Sequence, residues 1–311
     1  MALSIGIDVG GTNLRIAVFK GLQRIYETRL QADFSKICKE NTPSDAWQKI
    51  LNVTASALQS VLAKHPDVQS IGIGFPGFID PKSHVIVQSP NLPGLENMNL
   101  SADLSAKIGK KVMLENDALA CAYGEYYLAG KPPAGLIYLG LGTGVGGGLI
   151  DAGKPYTGEH GTAMEVGHII IAHPIFETSG RKCGCGNLGC LEQYASASGV
   201  AISYFNKTQQ QLTAQKISDL ANRGDINALE AYKLAGESLA MALAHILKVI
   251  DVPNVTIGGG MSQAWHLMQT AFDARLQADL IPVLRGKIQV KKSIADDTAG
   301  MLGAAMLALA V

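Results

Sequence analysis

The chain has 311 residues, which is long enough for two domains with well-buried cores. Its 26 basic and 26 acidic residues give a net charge of zero, which argues against a charged surface for nucleic acid or for an anionic membrane. The longest apolar runs, such as Met301 to Val311, are too short to span a bilayer. No basic leader precedes an apolar segment at the N-terminus, and with free cysteines this predicts a cytoplasmic protein.

The first half of the chain alternates apolar strands with helices. Its first strand ends in an acid, Asp8, and a tight glycine turn follows before the chain returns. The segment Thr42-Pro43-Ser44-Asp45 predicts a helix start, because proline fits the first turn and an acid suits the positive end of the helix dipole. The patterns predict strands at Leu3–Asp8, Leu14–Phe19, Arg24–Leu30, Ser70–Phe75 and Lys111–Leu114, and helices at Thr42–Lys64, Leu100–Ile108 and Ala118–Ala129.

After Lys131-Pro132-Pro133 the opening pattern returns. A strand at Gly135–Leu141, a glycine turn and a strand at Val145–Ile150 repeat the first unit in kind, though not in close sequence. Two such units, one in each half, predict a duplicated α/β architecture that holds a nucleotide between two lobes. Further predictions are helices at Thr213–Asn222, Ile226–Ile250 and Thr298–Leu309, a strand at Asn254–Ile257, and a helix opened by Gly258–Gly260.

The glycine turns are the candidates for phosphate binding. The G-x-G-x-x-G matches at Gly72–Gly77 and Gly142–Gly147 lack a helix directly after them, so we reject a dinucleotide-binding fold. Glycine lets backbone N–H groups approach an anion, and a threonine hydroxyl adds a donor. Two such turns, at Gly10-Gly11-Thr12 and Gly142-Thr143-Gly144, with Asp8 to hold Mg²⁺ through water, predict a polyphosphate ligand.

The second half of the chain contains a cluster of potential metal ligands. Three of the five cysteines fall within eight residues, separated by glycines and preceded by a histidine. The tight Cys-Gly-Cys spacing and the odd number of cysteines argue against disulfides. Three thiolates and one imidazole close a tetrahedral Zn²⁺ site to water, so we interpret the metal as structural. The predicted ligands are His168, Cys183, Cys185 and Cys190.

Two points about this cluster stay open in the sequence. His160 and His173 also lie near the cysteines, and either is an alternative to His168 as the fourth ligand. Glu165 precedes the candidate histidine by three residues, and Glu192 follows the last cysteine by two. Closing the loop on zinc would bring both carboxylates together, free to bind a ligand other than the metal.

Several motifs occur in a specific order along nearly the whole chain. They are Asp8-Val-Gly-Gly-Thr12, Gly74-Phe-Pro-Gly77, Glu115-Asn-Asp117, Gly142-Thr-Gly-Val-Gly-Gly147, Glu165-x-Gly-His168, Cys183-Gly-Cys185-Gly-x₃-Cys190-x-Glu192 and Gly258-Gly-Gly260. In this order they resemble the motifs of the ROK group (repressors, open reading frames and kinases) within the hexokinase and actin-like ATPase superfamily. One departure is Asn13, where ROK kinases usually carry lysine, and this leaves one phosphate contact undetermined.

The resemblance implies an α/β, two-lobed actin-like ATPase (ribonuclease H-like) fold, with duplicated α/β domains and a cleft between them. We expect residues 1–118 and 298–311 to form a small N-terminal domain that carries the phosphate site and the catalytic acid. Residues 119–297 should form the larger domain, with the zinc loop and the adenosine site. The family also suggests a homodimer or a tetramer.

The resemblance further implies phosphorylation of a hexose at its 6-hydroxyl by ATP with Mg²⁺, with glucose as the first expectation. N-acetylglucosamine, N-acetylmannosamine and fructose are the alternatives, because these sugars differ mainly around C1 and C2. A sugar hydroxyl is a poor nucleophile at neutral pH, so a carboxylate should accept its proton, and Asp117 is the predicted base. The other interpretation of Asp117 is the N-cap of the following helix.

Carboxylates suit a polyol because each can accept hydrogen bonds from two neighbouring hydroxyls. The predicted sugar ligands are Gly77, Asn91, Asn116, Asp117, Glu165, His168 and Glu192. The predicted phosphate ligands are Asp8, Gly10, Gly11, Thr12, Asn13, Gly142, Thr143 and Gly144, and those for adenosine are Gly258, Gly259 and Gly260.

A function of another class is that of a sugar-responsive transcriptional repressor, since part of the ROK group is of this kind. Such repressors carry a helix-turn-helix domain before the first strand. Only two residues precede Leu3, so we expect a kinase with a hexose substrate and no nucleic-acid or membrane partner.

Overall fold

In this computed structural model the described residues are 2–10, 12–171, 180–295 and 298–310. In chain order the strands are β1 (Leu3–Val9), β2 (Asn13–Lys20), β3 (Gln23–Gln31), β4 (Val68–Phe75), β5 (Phe78–Ile79), β6 (Ile86–Gln88), β7 (Glu96–Met98), β8 (Val112–Asn116), β9 (Leu136–Leu141), β10 (Val145–Asp151), β11 (Lys154–Pro155), β12 (Asn254–Gly258) and β13 (Gln289–Lys292). The helices are α1 (Phe34–Glu40), α2 (Pro43–Lys64), α3 (Leu100–Ile108), α4 (Asp117–Leu128), α5 (Glu192–Ala195), α6 (Ala197–Thr208), α7 (Ala214–Ala221), α8 (Ile226–Ile250), α9 (Trp265–Asp279) and α10 (Thr298–Leu309). Short 3₁₀ turns cover Val166–His168, Gly260–Ala264 and Pro282–Leu284. Within the described ranges, no helix combines the length and the apolar character that crossing a bilayer requires.

Internal contacts divide the chain into two compact units. The first unit comprises Met1–Pro133, Gly148–Ala163 and Ala295–Val311, and the second comprises Ala134–Gly147 and Met164–Ile294. The first division therefore falls after Pro133, whereas the sequence suggested a domain boundary after residue 118.

Helix α4 belongs to the first unit because it packs directly along α10. A Cβ atom on Gly124 of α4 would lie only 2.0 Å from the carbonyl oxygen of Ala299, and one on Gly303 of α10 would lie 1.7 Å from that of Ala120. Both glycines thus let the two helix backbones touch. A domain boundary before α4 would separate these two helices.

The first unit contains a five-stranded sheet in the order β3-β2-β1-β4-β8. Strands β1, β2 and β3 form an antiparallel meander, whereas β4 and β8 run parallel to β1. Helix α10 lies close against this sheet, because a Cβ on Gly6 would approach the carbonyl oxygen of Met301 to 1.7 Å. Helix α2 adds Trp47, Ile50 and Leu58 to the same buried core as Ile5.

The second five-stranded sheet has the order β11-β10-β9-β12-β13. Strand β12 runs parallel to both β9 and β13, and β11 is antiparallel to β10. Strand β10 begins in the second unit and ends in the first, since the division falls after Gly147. Helices α8 and α9 pack together in the second unit, where Gly236 of α8 admits the carbonyl oxygen of Met268.

The two sheets repeat one topology: a returning hairpin beside a central strand, then two parallel strands. This confirms the predicted α/β duplication, which is the topology expected of an actin-like ATPase fold. The small sheet β5-β6-β7 was not predicted, because strands of two or three residues are too short to show alternation. It lies in the first unit, where Gly161 (φ +68°) packs against the carbonyl oxygen of Ile79.

Candidate active site

Three acidic residues lie at the carboxyl edge of the first sheet. Asp8 of β1 is in register with Gly74 of β4, and Gly74 is in register with Glu115 of β8. Since neighbouring strands are about 4.8 Å apart, the backbones of Asp8 and Glu115 are separated by about 10 Å. Asp117 begins helix α4 directly after β8. In parallel sheets ligands bind outside this edge, so the three acidic residues are in a position to contact a ligand.

The residue that caps helix α4 is Asn116, not Asp117. The Asn116 Oδ1 atom accepts the N–H of Leu119 at 3.0 Å, while Nδ2 donates to the carbonyl oxygen of Gly77 at 3.1 Å. The Asp117 Oδ1 atom accepts a local bond, from the N–H of Ala118 at 2.8 Å. The cap is therefore made without the Asp117 carboxylate, which weakens the interpretation of Asp117 as a purely structural residue.

Burial changes the acidity of both carboxyl groups next to Asn116. It raises the pKa of Asp117 above its ordinary value. It also raises the pKa of Glu115 to about 7, although an N–H bond from Asn116 opposes the shift. Desolvation disfavours the charged form of a carboxyl group. A carboxylate whose pKa lies nearer to neutrality is a better general base for an alcohol.

Gly77 holds a backbone conformation that side chains rarely adopt, with φ at +149°. A Cβ there would lie 2.7 Å from the carbonyl oxygen of Gln88 and 3.1 Å from the side chain of Ser89. The hydrogen bond from Asn116 Nδ2 to its carbonyl oxygen brings Gly77 and Asn116 into contact. Asn91 is exposed in the turn that follows Ser89, and no hydrogen bond joins its side chain to Asn116 within the described ranges.

The turn between β1 and β2 is closed by the Gly10 N–H, which donates to the carbonyl oxygen of Asn13 at 2.9 Å. The Asn13 side chain donates through Nδ2 to the Thr12 hydroxyl at 2.9 Å and accepts at Oδ1 from Arg29 Nε at 3.0 Å. Gly11 lies outside the described residues. Arg29 was not among the predicted site residues, although the predicted pairing of the second and third strands could have indicated it.

The corresponding turn between β9 and β10 has different surroundings. The Gly142 N–H donates to the carbonyl oxygen of Gly144 at 2.9 Å, and Thr143 is exposed at the tip. The next N–H, that of Val145, donates to Glu192 Oε2 at 3.3 Å. A Cβ on Gly144 would lie 2.2 Å from the same oxygen, so glycine is needed here to admit the carboxylate.

The structure brings together the three predicted sugar ligands of the second unit. Glu165 Oε2 lies 3.9 Å from His168 Nε2. The other ring nitrogen, His168 Nδ1, lies 3.7 Å from Cys183 Sγ, which is 3.8 Å from Glu192 Oε1. The imidazole therefore turns one nitrogen toward the cysteines and the other toward a carboxylate.

His168, Cys183, Cys185 and Cys190 offer ligand atoms that all lie within 4.8 Å of one another. With Zn–S bonds of about 2.3 Å and a Zn–N bond of about 2.0 Å, a tetrahedral site requires S···S distances of about 3.8 Å and an S···N distance of about 3.5 Å. The Cys185 and Cys190 sulfurs are 3.6 Å apart, and Cys183 is 3.7 Å from the imidazole. This donor set fits zinc. His160 is not in the group, and His173 lies outside the described residues.

The cysteine loop is held by its own backbone. The Cys183 N–H donates to the carbonyl oxygen of Asn187 at 2.9 Å, and the Gly189 N–H donates to that of Arg181 at 2.8 Å. A backbone hydrogen bond from Asn187 lowers the pKa of the exposed Cys185 thiol, whereas burial raises that of Cys190. The loop conformation therefore already presents its ligands.

Arg181 joins this loop to the following helices and was missed by sequence reasoning. Its guanidinium donates to the carbonyl oxygens of Gln193 and Gly199 and stacks 4.4 Å above the ring of Tyr194. No local pattern signals such a contact, because the partners lie 12 or more residues away.

The glycine run after β12 divides into packed and open positions. A Cβ on Gly258 would meet the ring of Tyr138 at 2.5 Å, and one on Gly259 would meet the carbonyl oxygen of Leu141 at 2.4 Å. Gly260 has open space around it. Packing within the fold thus explains why the first two positions are glycine, whereas Gly260 has room for a ligand. A 3₁₀ turn, not the expected helix, begins at Gly260, and α9 follows it.

Comparison with known proteins extends this description to the whole chain. The sequence model of the ROK family matches residues 4–311. An N-acetyl-D-glucosamine kinase from Shigella boydii serotype 4 (strain Sb227) is 34% identical over 314 aligned residues, which cover 98% of each chain.

Two solved structures have the same fold over their full lengths. A ROK hexokinase from Thermus thermophilus superposes with a TM-score of 0.82 at 27% identity, covering 99% of this chain and 98% of the other. A ROK family glucokinase from Streptomyces griseus, solved with glucose and AMPPNP, superposes with a TM-score of 0.81 at 28% identity, covering 100% of both chains.

Proposed function

This chain belongs to the ROK family and is a sugar kinase of that type, and we propose that it transfers the terminal phosphoryl group of ATP to the 6-hydroxyl of N-acetylglucosamine. The observation that carries the proposal is the Asn116–Asp117 pair at the end of β8. Asn116 makes the helix cap and the contact with Gly77, so the adjacent carboxylate is left for chemistry.

Asp117 is the proposed general base. Its carboxylate would accept the proton of the sugar hydroxyl as the new P–O bond forms, which leaves the carboxyl group neutral. Burial favours this neutral form and so assists the transfer. Removing such a base costs about 10²- to 10⁴-fold in rate.

The turn between β1 and β2 is the proposed phosphate site. ATP with Mg²⁺ supplies the phosphoryl group and the charge that polarises it. Asp8 would hold the magnesium ion through water, while the Gly10 turn, Gly11, Thr12 and Asn13 would meet the phosphates. Among the described residues, the atom nearest to a Cβ on Gly10 would be the carbonyl oxygen of Asn13, at 3.4 Å, which leaves space beside the backbone of the turn for an anion.

The remaining proposed nucleotide ligands lie in two other glycine segments. Gly142, Thr143 and Gly144 form the second turn, whose tip is exposed at Thr143. Gly258, Gly259 and Gly260 are the proposed adenosine contacts, and the open surroundings of Gly260 support a role for that residue.

Sugar hydroxyls other than the reacting one would be bound by carboxylate, amide and imidazole groups. The proposed ligands for these hydroxyls are Gly77, Asn91, Asn116, Glu165, His168 and Glu192. His168 would bind structural zinc through Nδ1, which fixes its tautomer and leaves Nε2 to donate to a hydroxyl.

The choice of N-acetylglucosamine rests on the relatives. The Shigella boydii N-acetyl-D-glucosamine kinase is 34% identical to this chain, whereas the Streptomyces griseus glucokinase is 28% identical. Glucose, the first expectation from the sequence, is therefore the second candidate. It is retained because the glucokinase was solved with glucose and covers 100% of both chains.

The proposal is tested by measuring ADP release with N-acetylglucosamine, glucose, N-acetylmannosamine and fructose at matched concentrations. We expect release that depends on sugar, with the highest kcat/KM for N-acetylglucosamine. A higher kcat/KM for glucose would select the second candidate. ADP release that no sugar stimulates would contradict a kinase of either kind.

A further inference from the structure

A cation from strand β3 lies beside the proposed phosphate turn. We propose that Arg29 binds the phosphates of the nucleotide and is held in place for that purpose by Asn13; this inference rests on the proposed function. Arg29 Nε donates to Asn13 Oδ1 at 3.0 Å, which places the guanidinium next to the turn that β1 and β2 form. Asn13 itself carries no charge, and through its bond to Asn13 the Arg29 side chain brings a positive charge next to the turn.

The way Arg29 is held leaves most of its donors available. A guanidinium has five N–H groups, and the bond to Asn13 uses the one on Nε. Arg29 is exposed, and among the described residues no carboxylate lies within 4.0 Å of it. The paired Nη groups match the geometry of phosphate oxygens, which guanidinium binds in a bidentate manner.

Strand register adds a second reason to expect an anion here. Arg29 of β3 lies directly opposite Arg15 of β2, and Arg15 lies directly opposite Asp8 of β1. Like charges in directly opposed positions are unfavourable. A phosphate bound at the end of this hairpin would stabilise the approach of the two guanidinium groups.

Asn13 also orients the hydroxyl of Thr12. Its Nδ2 donates to Thr12 Oγ1 at 2.9 Å while its Oδ1 accepts from Arg29, so both partners fix the same orientation of the amide. Since the hydroxyl oxygen already accepts a hydrogen bond, its own proton is left to donate. Thr12 and Arg29 would therefore present donors to the same ligand through one bridging amide.

The alternative is that Arg29 only packs its stem along a groove of about 560 Å³ between the β2–β3 hairpin and α2. Lys64 lines the same groove and is also exposed, but it contacts the Tyr26 hydroxyl at 3.3 Å and not the turn. Lys64→Ala is thus a matched control that removes a cation from the groove without touching Asn13.

The experiment is calorimetric titration of ATP with Mg²⁺ into the full chain, with kinetics as a second measurement. Arg29→Ala and Arg29→Gln should weaken ATP binding about tenfold or more, because each removes charged hydrogen bonds to phosphate. The KM for N-acetylglucosamine should stay within about twofold of the wild-type value, and Lys64→Ala should leave ATP binding unchanged. Asn13→Lys combined with Arg29→Ala should recover most of the lost affinity, since it returns a cation to the turn.

Wild-type affinity for ATP in both Arg29 variants would overturn the inference, as would a loss that Lys64→Ala reproduces. If Arg29→Ala lowers the melting temperature, the ATP affinities of Arg29→Gln and of the double variant decide whether Arg29 binds phosphate. A wild-type chain that binds ATP but shows no sugar-dependent ADP release contradicts the proposed function alone, because the titration still reports on Arg29. A wild-type chain that binds no ATP contradicts both.

Discussion

The two glycine hairpins occupy the same place in the two sheets but have opposite electrostatic surroundings. The hairpin of β1 and β2 has Asp8 on one strand and Arg15 on the other, and Arg29 reaches it from β3. The hairpin of β9 and β10 has no charged side chain in its turn, and the group that approaches it is the carboxylate of Glu192.

This difference shows that the duplication preserves the backbone and not the chemistry. The first hairpin can neutralise phosphate charge with side chains. The second offers backbone N–H groups, and the one at Val145 is already bonded to Glu192. The sequence suggested equal roles for the two turns in phosphate binding. We propose instead that side chains add positive charge at the first turn, and that the second turn, besides its proposed nucleotide contacts, positions Glu192.

The largest expected effect is that of substituting Asp117, which lies at the edge of the sheet that carries the first hairpin. Asp117→Asn keeps the shape of the side chain and removes the proton acceptor, so sugar-dependent turnover should fall about 10²- to 10⁴-fold. Sugar binding, measured by calorimetry, should persist. Normal turnover in this variant would refute the base assignment, and Glu115→Gln serves as the neighbouring control because it should retain turnover.

A pair of alanine substitutions compares the two turns directly. Neither Gly10 nor Gly144 has a positive φ, so alanine is compatible with both backbones. At Gly144 the new Cβ would lie 2.2 Å from Glu192 Oε2, whereas at Gly10 its nearest neighbour is at 3.4 Å. Gly144→Ala should displace Glu192 and raise the KM for sugar about 10- to 100-fold, since a hydrogen bond to a charged group is lost.

Gly10→Ala should instead affect the KM for ATP and leave that for sugar unchanged, because its Cβ points into the space proposed for phosphate. Steady-state kinetics with each substrate varied in turn separates the two effects. Equal changes in both KM values for both variants would mean that the two turns do not differ in role.

The metal cluster supplies a smaller effect in the second unit. Cys185→Ser removes one of four ligands, so bound zinc should be lost and the KM for sugar should rise about tenfold through His168 and the loop that carries Glu192. Metal content is measured by elemental analysis of the purified protein. Cys38→Ala, which changes a buried cysteine of α1, is the control and should retain zinc. Full zinc content in Cys185→Ser would remove that residue from the ligand set.

Substitution of Glu115 should have the smallest effect, and that effect is on the stability of the fold. Burial raises its pKa to about 7 in the folded chain, from an ordinary value of 4.5. Below the lower value the carboxyl is protonated in both states, and folding carries no penalty. As the pH rises through about 7, the folded state must hold a buried charge and stability is lost. Glu115→Gln should therefore raise the melting temperature by a few degrees at about pH 8 and by less at about pH 5, for a gain of at most about 3 kcal/mol. An equal change at both pH values would contradict the shift.

Much of this fold could be predicted from local patterns. Helices α2, α3 and α8 and the paired strands show clear periodicity, whereas α10 is marked by a continuous apolar run. Pro43 begins α2 as expected from its fixed φ. The three cysteines of the proposed zinc site could also be predicted to lie together, because their short spacing in sequence places them in one loop. The fourth member, His168, lies 15 residues before Cys183, and the sequence did not select it over His160 and His173.

The contacts that the sequence did not reveal depend on tertiary pairing. Arg29 meets Asn13 across 16 residues, and Arg181 meets Ser203 across 22. Gly144 looks like any turn glycine until Glu192 is placed against it. In the same way Gly258 suggested a ligand, but its lack of a side chain accommodates the ring of Tyr138. Such reasons for a residue type appear only when distant segments are packed.

The most direct test of the account is phosphorus NMR of the wild-type chain with ATP, Mg²⁺ and N-acetylglucosamine. The account predicts loss of the ATP signals together with a new phosphomonoester signal coupled to the two protons on carbon six. Release of inorganic phosphate without any phosphomonoester, or a phosphomonoester on another carbon, would contradict it.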